Sequence, residues 1–195
     1  MKQLLFSLLL VLTMTTAQAA EPATPVYVLL ETTEGNITLE LDAEKAPVTV
    51  ANFVQYVKDE HYNGISFHRV IEGFMIQGGG YDAQYKERPT RASIENEAKN
   101  GLKNDRGSIA MARTSAPHSA SAQFFINHRD NANLDYPSFD GWGYAVFGKV
   151  VEGMDVVDTI ASSQTGNLPP FGRDVPTSPI LIKSASVIDA PKSSE

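Results

Sequence analysis

The chain has 195 residues, with 16 Lys plus Arg against 23 Asp plus Glu and a formal net charge of −7. This mildly acidic balance, without a basic stripe or interleaved aromatic and basic residues, argues against a nucleic-acid-binding protein. The chain has no cysteine, which excludes disulfides, thiol catalysis and thiolate metal sites, so an exported form relies on its apolar core.

The first 19 residues predict a signal peptide that is removed on export. Lys2 gives a positive start, residues 4–12 are almost wholly apolar, and Ala17 and Ala19 fit the small-x-small pattern of a cleavage site. A membrane anchor is the alternative, but this apolar run is shorter than the roughly 20 residues that span a bilayer. We therefore expect cleavage after Ala19 and no membrane contact by the mature protein.

The rest of the chain divides into a short leader (20–25), one domain (26–190) and a polar tail (191–195). A domain of this length can bury a sizeable core. No internal repeat or linker divides it in two.

The domain begins with a predicted hairpin over residues 26–42, whose second half alternates apolar and polar side chains. An amphipathic helix is predicted after Pro47, ending near residues 62–64. Its apolar residues follow the spacing i, i+3, i+4 and i+7: Val50, Phe53, Val54 and Val57. Residues 153–162 predict a second helix with apolar residues on one side.

Six further segments have the composition of strands, and loops rich in Gly, Asn, Asp and Pro separate them. They are SFHRVI (66–71), FMIQGG (74–79), GSIAMAR (107–113), AQFFIN (122–127), YAVFGKVV (144–151) and PILIKSASVI (179–188). About eight strands and two helices in one unit favour a mainly β fold, a closed eight-stranded antiparallel β-barrel with two capping α-helices. A β-sandwich is the alternative.

The stretch SFHRVIEGFMIQGGG carries a cation among apolar residues but no nucleophile. Strand alternation places Phe67 and Arg69 on one face. An arginine beside apolar residues is costly to bury without a partner, so a structural ion pair and a functional cation both remain open. Met75 and Gln77 follow one turn later, and we expect them to project onto the same patch as Arg69.

Other chemical motifs are absent or weak. The four histidines do not have the spacing of a metal site: His61, His68, His118 and His128. No serine lies in GxSxG, and the three glycines that end at Gly80 lack the GK[ST] of a phosphate loop, so they indicate a bend. Asn96 and Glu97 are candidates for a cation site, although a solvated loop is the favoured interpretation.

The segments FHRVIEGFMIQGG, NEAKNGLKNDRGSIAMAR, SAQFFIN and YAVFGKV occur in this order and together resemble the cyclophilin family of peptidyl-prolyl cis-trans isomerases. The resemblance runs from about residue 26 to residue 188. With GWGYAVFGKV and the export signal, the chain is most similar to the periplasmic cyclophilins of Gram-negative bacteria. The family implies an eight-stranded barrel, two capping helices and a substrate groove on the outer surface.

The resemblance also implies a role for individual residues. The catalytic arginine falls on Arg69. The proline pocket is formed by Phe74, Met75, Phe125 and Leu134. The polar groove is formed by Gln77 and Gln123. The edge that pairs with the substrate backbone is formed by Ala112, Arg113 and Thr114. Tyr144 lies where many members carry a histidine.

These assignments imply an isomerase, or rotamase, that needs no cofactor and no metal, because rotating an amide makes and breaks no bond. The expected partners are proline-containing unfolded or folding polypeptides, and the expected state is a monomer in the periplasm that assists the folding of exported proteins. The alternative is a proline-peptide binding or chaperone module with little turnover. A metal-dependent hydrolase lacks a ligand set.

Three residues depart from the family pattern. Asn133 replaces the usual Trp or Phe beside the pocket leucine, so we expect a looser rim and weakened affinity for cyclosporin-type ligands. Glu72 replaces a common proline, and we expect its side chain to point outward. Arg113 stands where many members have asparagine, and there we expect the backbone to be used for substrate pairing.

Overall fold

The computed structural model describes residues 24–191 and contains eleven strands and two helices among them. The predicted signal peptide, residues 20–23 of the leader and residues 192–195 of the tail lie outside the described residues. The strands are β1 (Val26–Thr32), β2 (Asn36–Leu41), β3 (Ile65–Ser66), β4 (Arg69–Ile71), β5 (Met75–Gly78), β6 (Ser108–Met111), β7 (Phe124–Asn127), β8 (Val146–Glu152), β9 (Thr165–Leu168), β10 (Gly172–Pro176) and β11 (Leu181–Ile188). The helices are α1 (Pro47–Lys58) and α2 (Met154–Ala161), and single 3-10 turns lie at Ala98–Asn100 and Ala132–Leu134.

Nine strands form one antiparallel sheet in the order β3-β11-β1-β2-β8-β6-β7-β5-β4, and β9 pairs with β10 apart from it. The two end strands, β3 and β4, are separated in the chain only by Phe67 and His68, so the sheet curls until its ends come together. Among the described residues no ladder joins β3 to β4. The mainly β architecture is thus confirmed, whereas closure into an eight-stranded barrel is not.

Most of the predicted elements are present. The first hairpin is β1–β2, and the apolar residues predicted for one side of each helix are mostly buried against the rest of the domain. Helix α1 ends at Lys58, earlier than predicted, and the following residues form turns. The pair β9–β10 was not predicted, because its sequence GNLPPFGRD has the Gly and Pro content of a loop. Neither helix within residues 24–191 is long and apolar enough to cross a bilayer.

Strand alternation divides the apolar side chains of the sheet between two faces. Ile76, Phe124 and Ile126 point to the main core, which also contains the buried residues of both helices. Met75 and Phe125, their neighbours in sequence, belong to a smaller cluster on the opposite face. This outer cluster consists of Met75, Ala110, Phe125, Leu134 and Val146, with Ile71, Phe74, Leu102, Ala112 and Tyr144 packed against it.

The expectation that Phe67 and Arg69 share one face is wrong. Phe67 is fully buried in the main core, as is Val70, whereas Arg69 lies on the outer face. The two residues belong to no common strand, because Phe67 lies in the break between β3 and β4. Alternation holds within a strand and does not extend across such a break.

Helix α1 begins without a side-chain cap from its own Ala46, and Glu97 from a distant loop takes that place. One Glu97 carboxylate oxygen accepts a hydrogen bond from the Val48 amide at 3.1 Å, and the other accepts from the Thr49 amide at 2.8 Å and the Thr49 hydroxyl at 2.7 Å. A negative group satisfies the free amides at a helix N-terminus. The Glu97 carboxylate therefore caps the helix, and this role explains its position without the cation site considered for Asn96 and Glu97.

Candidate functional site

The candidate site is built on a row of side chains that crosses four strands on the outer face. Arg69 of β4 lies opposite Gln77 of β5, Gln77 lies opposite Phe125 of β7, and Phe125 lies opposite Ala110 of β6. Met75 is two residues from Gln77 and projects to the same face. The patch of Arg69, Met75 and Gln77 expected from the sequence is therefore present.

A pocket of about 110 Å³ opens over this row. It is lined by Arg69, Phe74, Met75, Gln77, Ala112, Arg113, Phe125, Leu134 and Tyr144. Every lining residue was predicted from the sequence. A larger groove of about 290 Å³ is lined mostly by charged residues of both signs, including Glu40, Lys103 and Lys149, and no aromatic side chain lines it.

Two predicted site residues do not line the pocket. Gln123 is hydrogen-bonded to Gln77, whose side-chain amide donates to the Gln123 side-chain oxygen Oε1 at 3.0 Å. A Cβ at Gly80 would lie 2.7 Å from the Gln123 amide nitrogen, so the last of the three glycines makes room for this pair. Thr114 is exposed, and its hydroxyl donates to Ser119 at 2.8 Å.

Arg69 is the cation of the pocket, and 42% of its side chain remains exposed. Its nearest carboxylate is Asp174 of β10, with one oxygen 3.9 Å from Arg69 Nε. The preceding residue, His68, is buried, and burial lowers its pKa to about 4. His68 is therefore uncharged near neutral pH and adds no second positive charge beside Arg69.

The second arginine that lines the pocket, Arg113, is buried and supports one wall. Its side chain is 2% exposed, pairs with Asp140 and donates from Nε to the Gly143 carbonyl at 2.9 Å. The guanidinium carbon lies 4.5 Å from the centre of the Tyr144 ring, and Tyr144 packs edge-on against Phe125 at 5.7 Å. The hydrogen bond from Arg113 lowers the pKa of Asp140.

A buried network of asparagines, which was not predicted, joins two walls of the pocket. The side-chain amide of Asn131 donates to the Phe74 carbonyl at 2.9 Å and to the Asn127 side chain at 2.7 Å. The Asn131 main-chain carbonyl accepts from the Leu134 amide at 2.8 Å. Asn127 and Asn131 are at most 1% exposed, so loss of any partner leaves a buried polar group unpaired, which is costly. Nothing local in the sequence marks these residues, because their partners are distant in the chain.

The turn that presents Phe74 is held by His128. The His128 amide donates to the Phe74 carbonyl at 3.0 Å, and its ring Nδ1 accepts from the Gly73 amide at 2.8 Å. The other ring nitrogen lies 3.1 Å from the Asp158 carboxylate, which fixes the tautomer with the proton on Nε2. Glu72 in this turn is exposed, as expected.

Asn133 lies in the 3-10 turn next to Leu134, but it is exposed and does not line the pocket. Its carbonyl accepts a hydrogen bond of 2.6 Å from the Ser138 hydroxyl. The rim beside Leu134 therefore has no aromatic side chain from this position.

The arrangement suits one kind of ligand. The apolar walls accept a small neutral ring, the paired glutamines offer neutral polar groups, and Arg69 places a permanently charged donor at the edge. No serine, threonine or lysine lines the pocket to serve as a nucleophile. Within residues 24–191 no three His, Asp or Glu side chains converge to hold a metal ion.

Comparison with known proteins gives consistent matches. Residues 27–187 match the family model described as cyclophilin type peptidyl-prolyl cis-trans isomerase/CLD. Peptidyl-prolyl cis-trans isomerase A of Dickeya dadantii (strain 3937) is 53% identical over 188 residues, covering 96% of this chain and 98% of that protein. Peptidyl-prolyl cis-trans isomerase B of Escherichia coli (strain K12) is 51% identical over 162 residues, covering 82% of this chain and 98% of that protein.

Among solved structures, a cyclophilin type peptidyl-prolyl cis-trans isomerase of Cryptosporidium parvum has a TM-score of 0.71 at 25% identity, covering 86% of this chain and 99% of that chain. A crystal structure of that protein in the presence of the dipeptide Ala-Pro has a TM-score of 0.69 at 25% identity, covering 84% of this chain and 99% of that chain.

Replacing Arg113 tests the support of the Tyr144 wall. Arg113→Ala removes the charged partner of Asp140 and one of the two donors to the Gly143 carbonyl, so we expect the melting temperature to fall by roughly 5–10 °C. Arg91→Ala is the matched control, because Arg91 also pairs with an aspartate, Asp59, but is 51% exposed. Exposed pairs contribute little, so this control should lie within roughly 2 °C of the wild type. Equal losses in the two variants would contradict the structural role of Arg113.

Proposed function

The chain belongs to the cyclophilin family and is a peptidyl-prolyl cis-trans isomerase, and from this premise we propose how its pocket catalyses rotation about Xaa-Pro bonds. The observation that carries the proposal is the position of Arg69 at the edge of an apolar pocket that offers no nucleophile. The reaction needs a site that binds the twisted amide more tightly than either planar form.

The enzyme must lower the barrier to rotation about the Xaa-Pro amide, whereas the cis and trans ground states differ little in free energy. Rotation about an amide C–N bond faces ~18–20 kcal/mol because conjugation must be broken. The cis and trans forms of an Xaa-Pro bond differ by only about 0.5–1 kcal/mol, yet they exchange over tens to hundreds of seconds. Any interaction that forms only in the twisted state lowers this barrier directly.

Arg69 supplies such an interaction. In the twisted amide the proline nitrogen loses conjugation and gains a localised lone pair, which accepts a hydrogen bond from a guanidinium N–H. The planar amide has no such acceptor, so the donor discriminates between the two states. Each ~1.4 kcal/mol of selective stabilisation accelerates rotation about tenfold. An arginine is always protonated, so the donor is present at every physiological pH.

The outer cluster holds the pyrrolidine ring while the preceding carbonyl turns. Met75, Phe125 and Leu134 are nearly fully buried and form the floor and walls, and Phe74 closes one side. Exclusion of water from this pocket also removes the solvent that favours the polar planar amide. Gln77 uses one side-chain N–H to bind Gln123, and its second N–H can donate to a substrate carbonyl.

The edge at Arg113 is suited to bind the substrate backbone. The Ala112 amide already donates to the Gln123 carbonyl at 3.0 Å. Neither the amide nor the carbonyl of Arg113 has a partner within the described part of the chain. An extended peptide can therefore add to this edge by main-chain hydrogen bonds, while the Arg113 side chain serves the wall behind it.

Replacement of Arg69 tests this mechanism. Removal of one preorganised donor typically reduces turnover by about 100-fold, and we expect that loss for Arg69→Ala. The measurement is cis-trans exchange of an Ala-Pro peptide by NMR, with Arg91→Ala as a control that keeps the wild-type rate. If Arg69→Ala exchanges the peptide as fast as the wild type, Arg69 is not catalytic. If the wild type gives no exchange either, the isomerase assignment itself fails.

We further propose that the mature enzyme acts in the periplasm on exported proteins as they fold. The positive start, the apolar run and the Ala17-Gln18-Ala19 site support export. N-terminal sequencing of the protein from a periplasmic extract should therefore give a chain that begins at Ala20. A full-length chain that begins at Met1 and stays in the cytoplasm would overturn this assignment.

A further inference from the structure

Strand β10 of the β9–β10 pair packs against β4, the strand that begins with the catalytic arginine. Where the pair begins and ends, the Gln164 carbonyl before β9 accepts two hydrogen bonds from Thr177 after β10. The Thr177 amide donates at 2.9 Å and the Thr177 hydroxyl at 3.1 Å. Val175 and Pro176 are buried. Asp174 therefore extends from an anchored strand, next to buried Val175.

An aromatic contact fixes the other end of the pair. The ring of Phe171 lies 4.6 Å from Tyr81 in an edge-on arrangement and 5.7 Å from His68. His68 is buried and directly precedes Arg69. The β9–β10 pair thus packs through Phe171 on His68, the residue before the catalytic arginine, and its Asp174 lies beside that arginine.

The Arg69 guanidinium has few other restraints. Within residues 24–191 its side chain makes no hydrogen bond, and Asp174 is the only carboxylate within 4.0 Å of it. Gln77, the residue opposite on β5, uses its amide to bind Gln123 instead. An arginine side chain has many rotamers, so without a partner it samples many positions.

We propose that Asp174 is a positioning residue for Arg69. The Asp174 oxygen lies 3.9 Å from Nε, so its attraction favours orientations that keep Nε beside β10 and leaves the two terminal amino groups available to the pocket. Catalytic groups must be held within about 0.5 Å of their productive position, so this restraint contributes to turnover. The inference rests on the proposed role of Arg69 and deepens it.

The expected effect is modest, because 42% of the Arg69 side chain and 34% of the Asp174 side chain are exposed. Coupling between exposed charges corresponds to a change of about three- to fivefold at most. It should fall on kcat and leave KM unchanged, since Asp174 restrains the donor that acts in the twisted state and does not line the pocket.

The test compares Asp174→Asn and Asp174→Glu with Asp189→Asn, which removes the same charge at an exposed position after β11. We expect Asp174→Asn to lower kcat about three- to fivefold for an Ala-Pro peptide with KM within about twofold. Asp174→Glu should restore at least half of the loss. The NMR signal of the Arg69 Nε–H group should shift in Asp174→Asn and stay unchanged in Asp189→Asn.

A wild-type kcat in Asp174→Asn, or an unmoved Arg69 signal, overturns the positioning role. A loss confined to KM also overturns it, because that result indicates a contact with substrate. Failure of the proposed function is distinguishable: in that case the wild type and Asp189→Asn lack activity, or Arg69→Ala keeps full activity, whatever the result at Asp174.

Discussion

The two-residue period of the strands is the constraint on which both the fold and the site depend. Along β5 and β7, Ile76, Phe124 and Ile126 enter the main core, whereas Met75 and Phe125 alternate with them and belong to the outer cluster. Phe124 and Phe125 are adjacent and chemically alike, yet one stabilises the fold and the other lines the pocket. A shift of one residue in register would exchange these roles, so pocket and core are specified together.

The pocket keeps its shape because polar groups are buried behind it. The Asn131 side chain donates to the carbonyl of Phe74 and its main-chain carbonyl accepts from the amide of Leu134, so two apolar walls are joined through one buried residue. Arg113 does the same for Tyr144 through Gly143 and Asp140. Buried polar groups are costly unless all their hydrogen bonds form, and this requirement restricts the walls to one arrangement.

The sequence allowed the pocket lining to be predicted because those residues lie in continuous segments with a regular period or a family pattern. Gln77 and Met75, for example, fall two residues apart on one strand. The supports escaped prediction because Asn131, Asp140 and Asp174 act through partners far away in the chain. Phe67 was placed on the wrong face because its segment is broken between β3 and β4. Closure of the sheet into an eight-stranded barrel was expected but is not confirmed, because strand composition does not reveal which strands pair.

The central claim is that Arg69 acts as a directed donor to a nitrogen that becomes basic only during rotation. The most direct test measures, for Arg69→Lys, the dissociation constant of an Ala-Pro peptide and its rotation rate on the enzyme by NMR. Lysine keeps the charge but lacks the planar fork of donors. We expect affinity within about threefold of the wild type and a rotation rate at least about tenfold lower. An unchanged rotation rate would contradict the account, because a positive charge alone would then be sufficient.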